Sequence, residues 1–198
     1  MSDSTSACSG WDNGSCVGTP YCPPRCPRFI DAEGTSLLMR PFEEGDLVPL
    51  ISMYICLDDE SRTRGIPPKG RESIERWLDD LIDRGWHLIA LDDTEVVGHV
   101  GIVPATADSP EGLVFVADAY QGRGVGGELL RQLFAYAAAR EHDAILLDVA
   151  RHNRRAVHAF TSVGFAVEHR NIDEVLLSLT MDDPVVTEAR LPPAERAS

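Results

Sequence analysis

Apolar residues recur at helical and strand spacings between residues 36 and 181, and this periodicity is missing at both ends of the chain. Helical spacing, with apolar residues three or four positions apart, occupies 47–54 and 74–82. A longer helix is predicted to start near Gly124, and a shorter one covers 153–163. The interleaving of helices with short apolar runs predicts a single α/β domain. The runs that predict strands are 37–39, 87–91, 96–103, 113–116, 145–149, 166–169 and 175–181.

The two ends of the chain differ in composition from this periodic region. Residues 1–28 are rich in Cys, Gly and Pro, and 182–198 are rich in Pro and charged residues. Neither end shows an apolar period, so we expect irregular structure in the first and a flexible tail in the second. The predicted organisation is a Cys-rich segment at 1–28, a folded domain at 29–181 and a C-terminal tail at 182–198.

The chain is acidic: it has 32 Asp and Glu against 18 Lys and Arg, and its formal net charge is −14. Such a surface repels phosphate backbones, which argues against nucleic acid as a partner, and it attracts cations such as lysine-rich tails or polyamines. The spread of the charge also fits the solubility adaptation of an acidic proteome. No apolar run reaches the roughly 20 residues that span a bilayer, and the N-terminus lacks a signal-peptide pattern. We therefore expect a cytoplasmic protein without a membrane partner.

The strongest chemical signal is a glycine-rich stretch, 121–127, between a short apolar strand and a long helix. Glycines remove the Cβ atoms that keep a phosphate away from the backbone, and a helix N-terminus favours an anion. The stretch therefore predicts a pyrophosphate site, although a tight strand-to-helix turn without a ligand would use the same glycines. It is not a P-loop, since no Lys followed by Ser or Thr is present, and it comes too late in the chain for a dinucleotide-binding fold.

Three stretches of the chain carry a family resemblance. Gln121-x-x-Gly124-x-Gly126 after an apolar strand resembles the coenzyme A pyrophosphate loop of the GNAT N-acetyltransferase superfamily. Residues 153–165 resemble that family's later pattern of Asn, then Ala, then an aromatic residue, then Gly-Phe. Residues 39–47 are similar to the family's first strand and helix. The two motifs stand at the spacing that the family shows.

This resemblance covers residues 36–181 and implies a GNAT fold. That fold is an α/β (α+β) domain with a mixed, mostly antiparallel, twisted sheet of about six or seven strands flanked by about four helices. The resemblance also implies an N-acetyltransferase that uses acetyl-coenzyme A as cosubstrate and an amine as acceptor. Whether the acceptor is a small molecule or a protein stays open, and so does a homodimer. A shorter likeness, at 59–64, points to the protein-lysine acetyltransferase branch.

The resemblance further assigns coenzyme-binding residues. The backbone amides of 121–126 would anchor the pyrophosphate, and the amide of Val116 or Ala117 would donate to the acyl oxygen as an oxyanion donor. Asn153 would contact the pantetheine arm, which is compatible with a helix-capping role, and Phe160 would pack on the same arm. The full predicted set is Val116, Ala117, Asp118, Gln121, Gly122, Arg123, Gly124, Val125, Gly126, Gly127, Asn153 and Phe160.

Glu111 is the candidate catalytic residue. It begins the strand before the glycine loop, where similar enzymes carry a carboxylate, and it would accept the proton of the amine or orient a water. A solvated loop acid is the alternative interpretation. His87 and His99 are rival bases because an imidazole titrates near neutrality, although a structural role on the predicted hairpin suits both.

The usual general acid of the family is missing. Phe160 stands where the family has a tyrosine, and a phenyl ring cannot protonate sulfur. A thiol has a reference pKa of about 8.5, so the thiolate can leave unassisted or take a proton through water. Thr161, Ser162 and Tyr120 are nearby substitutes. The missing acid makes a coenzyme A-binding regulatory module without turnover the first alternative to an enzyme.

Four cysteines, Cys8, Cys16, Cys22 and Cys26, lie in the N-terminal segment. Four thiolates satisfy tetrahedral Zn²⁺, so one hypothesis is a zinc knuckle with these residues as ligands. Their spacing contains no C-x2-C pair, and unpaired thiols or a disulfide stay open. Cys56 is predicted to lie in the core. An interaction protein that acts through this segment is the second alternative function.

Overall fold

The computed structural model describes residues 15–62 and 66–196, so Cys8 lies outside the described residues. No helix in the described part of the chain is both long enough and apolar enough to cross a membrane. The strands are β1 (Arg28–Ile30), β2 (Ser36–Pro41), β3 (Trp86–Asp92), β4 (Glu95–Val103), β5 (Glu111–Val116), β6 (Ala144–Ala150), β7 (Ala166–Arg170) and β8 (Glu174–Thr180). The α-helices are α1 (Leu47–Cys56), α2 (Arg71–Arg84), α3 (Val125–Ala139), α4 (Arg154–Ser162) and α5 (Pro184–Ala189).

These strands form one sheet in the order β1-β2-β3-β4-β5-β6-β8-β7. Neighbouring strands are antiparallel except β5 and β6, which run parallel. The mixed, mostly antiparallel sheet that the sequence predicted is therefore confirmed. Among the described residues, the register between β5 and β6 holds one residue pair, Glu111 opposite Leu146, and the two strands diverge beyond it. β1 was not predicted because three residues are too few for a period to show.

Helices cover both faces of the sheet, and the alternation of side chains along each strand decides which core a residue joins. On β3, Leu88 and Ala90 belong to the core shared with α3 and α5, whereas Ile89 belongs to the core under α1 and α2. The connection from β5 to α3 starts at the end of a central strand, where Val116 packs against one core and Ala117 against the other. Fully buried side chains of the helices in these cores include Leu129, Leu133, Phe134, Leu50, Tyr54, Ile74 and Leu78.

The predicted flexible tail at 182–198 is wrong for its described part, 182–196. Asp183 caps α5 by accepting a hydrogen bond from the Val185 N–H at 2.9 Å. Val186 and Ala189 are 2% exposed and join the core beside α3. The helix escaped prediction because its six residues are too short to show a period between flanking prolines and charges.

The described part of the Cys-rich segment packs on the domain and is not separate from it. Arg25 forms a bidentate pair with Glu128 of α3, with two bonds of 2.7 Å, and both side chains are 4% exposed. The Cys26 carbonyl accepts a bond from Gln132 of α3 at 2.6 Å, and the Cys16 carbonyl accepts one from the Ala194 N–H at 3.0 Å. Because β1 already begins at Arg28, the predicted boundary at residue 28 does not separate two units.

Candidate active site

The predicted phosphate loop lies between the end of β5 and the first turn of α3. Gly122 and Gly124 have φ of 75° and 88°, a left-handed conformation that other residues adopt at a cost. The first hydrogen bond of α3 runs from the Glu128 N–H to the Gly124 carbonyl, so the amides of 125–127 have no acceptor within the helix. No atom lies within 4 Å of a Cβ built at Gly122, so space is open beside that residue. This backbone fits a pyrophosphate, which needs several N–H donors at the positive end of a helix.

The Arg123 and Tyr120 side chains tie the loop to other elements. Arg123 forms an ion pair with the buried Asp31 and donates a 2.6 Å hydrogen bond to Thr35 Oγ1, both in or beside the β1–β2 turn. Its Cζ lies 4.5 Å from the centre of the Tyr120 ring. Tyr120 Oη donates to Asp92 at 2.7 Å, and this hydrogen bond raises the pKa of Tyr120 to about 12. Tyr120 is therefore a poor proton source for a leaving thiolate.

The Asp118 and Gln121 side chains connect the loop to the chain between α1 and α2. The Asp118 carboxylate accepts hydrogen bonds from the Asp58 N–H and from Ser61 Oγ, both at 2.6 Å. Gln121 Nε2 donates to Asp118 Oδ1 at 2.8 Å and to the Val116 carbonyl at 3.2 Å. Both side chains, predicted to bind the coenzyme, thus have their partners within the protein, and they position the loop whose amides face outward.

Every second N–H group of β5 points toward β6, into the gap that opens where the two strands diverge beyond Glu111 and Leu146. The Ala117 N–H donates to the Val97 carbonyl of β4 at 2.9 Å, so this predicted oxyanion donor is already used. Hydrogen bonding alternates along an antiparallel pair, so the N–H groups of Val116 and Val114 point away from β4. No β6 residue is paired with either of them, because the register between β5 and β6 stops earlier. Val114 was not predicted from the sequence. The period of two along a strand points its N–H into the gap together with that of Val116.

Glu111 begins β5, is exposed, and lies opposite Val103 of β4. It shares its face of the strand with Phe115, which packs against the core under α1 and α2. A strand rises about 3.4 Å per residue, so Glu111 lies about 10 Å from Val114 and about 17 Å from Val116. Glu111 therefore lies closer to the Val114 amide than to the Val116 amide.

Asn153 and Phe160 lie at the two ends of α4. The Asn153 side-chain oxygen accepts a hydrogen bond from the Ala156 N–H at 3.0 Å, so the predicted helix cap is present. Phe160 is half-buried, and its ring centre lies 6.1 Å from that of Phe165. The Thr161 and Ser162 hydroxyls donate to carbonyls of their own helix, at 3.0 Å and 2.7 Å. Neither hydroxyl replaces the missing tyrosine, because α4 itself engages both.

His87 and His99, the rival bases, belong to a buried chain of hydrogen bonds. Tyr54 Oη lies 2.6 Å from His99 Nδ1, and His99 Nε2 lies 3.0 Å from His87 Nδ1. The chain ends at the Leu81 carbonyl, 2.9 Å from His87 Nε2, and because a carbonyl only accepts, both neutral rings carry their proton on Nε2.

Burial lowers the pKa of His87. Burial lowers the pKa of His99 much further, and so does repulsion by His87 when that ring is protonated. At 0% exposure His99 is also closed to an acceptor amine. These observations favour the structural role for both histidines. The participation of Tyr54 was missed because no local pattern links α1 to β3 and β4.

Three of the four cysteines predicted to bind zinc, Cys16, Cys22 and Cys26, belong to the described residues, and Cys8 does not. No disulfide joins them, and residues 15–62 and 66–196 contain no group of three or more metal-ligating side chains. Cys22 Sγ accepts a hydrogen bond from the Thr19 N–H at 3.3 Å. Cys56, predicted to lie in the core, is exposed at the end of α1, since the buried face of that helix is formed by neighbours such as Met53 and Tyr54.

Comparison with protein families identifies the class to which this fold and loop belong. The model of the Acetyltransferase (GNAT) family matches residues 51–165, which is more than half of the chain. The chain belongs to the GNAT acetyltransferase family. The predicted activity, transfer of an acetyl group from acetyl-coenzyme A to an amine, is confirmed at the level of this family. A search of curated proteins found no match.

Solved structures share the fold. The GNAT domain of S. lividans PAT superposes with a TM-score of 0.68 at 23% identity, covering 77% of this chain and 95% of that domain. The spermidine N-acetyltransferase from Vibrio cholerae in complex with CoA and spermine has a TM-score of 0.62 at 20% identity, covering 73% and 95%. The structure of yncA from Salmonella typhimurium with its cofactor acetyl-CoA has a TM-score of 0.60 at 18% identity, covering 74% and 95%.

Proposed function

We propose that acetyl transfer takes place in the gap between β5 and β6, with the glycine loop beyond one end of β5 and Glu111 at the other. The observation that carries this proposal is the pair of strand amides, Val114 and Val116, that face a gap without a partner strand. When bound, acetyl-coenzyme A supplies an acyl thioester. The amides of 122–127 would hold its pyrophosphate, and the Val114 N–H would donate to the acyl oxygen as negative charge develops there.

Glu111 is the group that would take the amine proton, directly or through ordered water. Its carboxylate is exposed and lies on the sheet face of Phe115, whereas the Val114 side chain joins the core beside α3. An amine that approaches from the α1 and α2 face therefore meets Glu111 before it reaches the strand amides. The proton must leave before the amine can attack, and a nearby carboxylate contributes typically 10²- to 10⁴-fold to such a step.

The leaving thiolate would depart without an acid from α4. Phe160 offers no proton, the neighbouring hydroxyls are bonded within the helix, and Tyr120 is held by Asp92. Because thiols ionise only about one to two pH units above neutrality, a thiolate leaves readily and can be protonated by water. The pH dependence of turnover would then follow deprotonation of the amine.

The hydrogen bonds of Asp118 and Gln121 would hold the strand amides of the acyl site in position. The peptide between Val116 and Ala117 is fixed at both ends, by the Val97 carbonyl on its N–H and by Gln121 Nε2 on its carbonyl. Fixing that peptide also fixes the direction of the preceding amides. Asp118 is therefore a positioning residue, and it joins the end of β5 to the α1–α2 connection that borders the acceptor face.

The acceptor would be a cationic amine before it loses its proton. The formal charge of −14 concentrates cations at the surface, and the Vibrio cholerae relative acts on spermidine. The likeness of 59–64 to the protein-lysine acetyltransferase branch also supports an ammonium-bearing acceptor. Free polyamine and protein lysine share this chemistry, and a mass-spectrometric acceptor screen with acetyl-coenzyme A separates them.

The test of the catalytic assignment is turnover against pH for the wild type, Glu111→Gln and Phe160→Tyr. We expect Glu111→Gln to lower turnover by about 10²- to 10⁴-fold with unchanged coenzyme affinity, because the residue is remote from the glycine loop. Phe160→Tyr should keep or raise activity. Turnover of Glu111→Gln within threefold of the wild type would remove Glu111 from the mechanism. A Phe160→Tyr protein that binds coenzyme but reacts far more slowly would show that the ring is needed for packing.

A further inference from the structure

A segment near the N-terminus, residues 25–35, contacts the glycine loop and the first turn of α3, and we call it the N-terminal brace. It contains β1 and the turn between β1 and β2. Phe29 lies beside the loop, since a Cβ built at Gly124 would be 3.4 Å from Phe29 Cζ. Arg25 pairs with Glu128 in the first turn of α3. The brace lies outside residues 51–165, which the GNAT family model matches, so the loop has support that the matched region does not contain.

One backbone hydrogen bond from the brace fixes the peptide between Arg123 and Gly124. The Ala32 N–H donates to the Arg123 carbonyl at 3.0 Å. Because the C=O and N–H of a trans peptide point in opposite directions, the Gly124 N–H points away from the β1–β2 turn. No backbone carbonyl of 15–62 or 66–196 accepts from that N–H. The brace therefore holds in place an amide that belongs to the proposed pyrophosphate site.

The Arg123 side chain reinforces this backbone bond. Its Nε donates to Asp31 Oδ2 at 2.7 Å, and its Nη2 donates to Thr35 Oγ1 at 2.6 Å. Asp31 Oδ1 also accepts from the N–H groups of Glu33 and Thr35, both at 2.9 Å, so the same carboxylate shapes the turn that presents the Ala32 N–H. The Asp31 side chain is 0% exposed, and charge-assisted hydrogen bonds are strongest where water is excluded. Asp31 thus fixes both the turn and the arginine.

The loop needs such support because of its glycines. Arg123 stands between Gly122 and Gly124, which both have a left-handed φ. Glycine loses more conformational freedom than any other residue when its backbone is fixed. A loop that is already held in the binding conformation does not incur this entropic cost when the ligand arrives, and its affinity is higher for that reason. The contacts of the brace with Arg123 therefore bear directly on the affinity of the loop.

We propose that Asp31 and Thr35 are positioning residues of the coenzyme site. They hold Arg123, and with it the Gly124 amide, in the conformation that receives the pyrophosphate. This role rests on the proposed function, in which the loop amides bind that group. Because the two residues act through the loop, their effect falls on the affinity for a donor with a pyrophosphate and not on the transfer of the acyl group.

Two acyl donors test this role: acetyl-coenzyme A, which carries the pyrophosphate, and S-acetylpantetheine, which lacks it. One variant is Asp31→Asn, which keeps an oxygen for the N–H groups of the turn but removes the charge. The other is Thr35→Val, which replaces the hydroxyl by a methyl group of similar size. The matched control is Asp46→Asn, beyond the other end of β2, where a carboxylate likewise pairs with an arginine, Arg40, and accepts from a backbone N–H, that of Glu43.

We expect the calorimetric affinity for acetyl-coenzyme A to fall about tenfold in Asp31→Asn and about threefold in Thr35→Val, and to stay at the wild-type value in the control. The kcat/KM for S-acetylpantetheine, with an amine from the acceptor screen, should match the wild type in every variant. Wild-type affinity for acetyl-coenzyme A in both brace variants would overturn the proposal, and so would an equal loss with both donors.

Thermal unfolding shows whether each variant is folded. Thr35→Val leaves the ion pair of Asp31 with Arg123 in place, so it decides the case if Asp31→Asn does not fold. An absence of turnover in all proteins would count against the proposed function, whereas the calorimetric affinities would still decide the role of the two residues.

Discussion

The conformation of Gly124 gives the sharpest test of the coenzyme loop. Its φ of 88° and ψ of −7° lie in the left-handed region, where a Cβ costs about 1 to 2 kcal/mol. A Cβ at this position would also lie 3.4 Å from Phe29 Cζ, at the tight end of ordinary contact. Gly124→Ala must therefore either lose that much stability or move the loop out of the conformation that presents its amides. We expect coenzyme affinity to fall by about 5- to 30-fold, the equivalent of that energy.

Gly126→Ala is the matched control for this experiment. Gly126 is helical and has no positive φ, and its added Cβ would make an ordinary contact of 3.5 Å with Val116 Cγ2. The free protein should be as stable as the wild type or more stable, because alanine is a better helix former than glycine. Calorimetric titration of acetyl-coenzyme A measures the affinity of both variants, and thermal unfolding measures their stability. Comparing the two variants separates the backbone strain at Gly124 from the steric effect of an added methyl group. Unchanged affinity in a folded Gly124→Ala protein would refute the reasoning, since it would show that the left-handed turn is not needed for binding.

Three further predictions concern buried polar groups. His99→Gln should reduce the pH dependence of the unfolding free energy below pH 6.5 by up to about 1.4 kcal/mol per pH unit, because a buried imidazole with a lowered pKa contributes stability that is full above its unfolded pKa and is lost as the pH drops. Chemical denaturation between pH 7.5 and 5 measures this dependence, with His158→Gln as the control. A slope equal to that of the wild type would contradict the prediction. Arg25→Met should lower the free energy of unfolding by about 3 to 5 kcal/mol, because it removes both short bonds of the buried Glu128 and leaves only Arg131, 4.0 Å away, as a cation. Urea unfolding measures the loss. A loss under about 1 kcal/mol would show that the N-terminal segment does not stabilise the domain. Asp118→Asn should lower the free energy of unfolding by about 1 to 3 kcal/mol and reduce kcat/KM, while the loop amides still bind coenzyme. A kcat/KM equal to that of the wild type would show that the hydrogen bonds of Asp118 do not position the acyl site.

Local patterns predicted most of the fold and the loop. The glycine motif around Gly124 and the strand before it were readable because backbone conformation there depends on neighbouring residues. The short elements β1 and α5 were not, since three and six residues show no period and their stability comes from docking on other elements.

Side-chain networks could not be predicted in the same way. The Tyr54–His99–His87 chain joins residues that are 45 and 12 positions apart, and the Asp118–Ser61 bond spans 57. No periodic or local signal specifies such partners, because they meet only after the sheet has formed. The choice between Val114 and Val116 also needed the strand register.

The pairing of β5 with β6 through one residue pair has a mechanical consequence. Hydrogen bonds make a sheet stiff along its width, and here that stiffness is interrupted between a five-stranded part and a three-stranded part. The core beside α3 contains residues of both parts, so side-chain packing joins them beyond the line where Glu111 meets Leu146. A ligand bound in the gap, as proposed above, would take the place of a strand and complete the hydrogen bonding between the two parts. Stiffness of the whole sheet then becomes a property of the complex, and amide exchange at Val114 and Val116, fast for a central strand in the free protein, slows when the gap is filled.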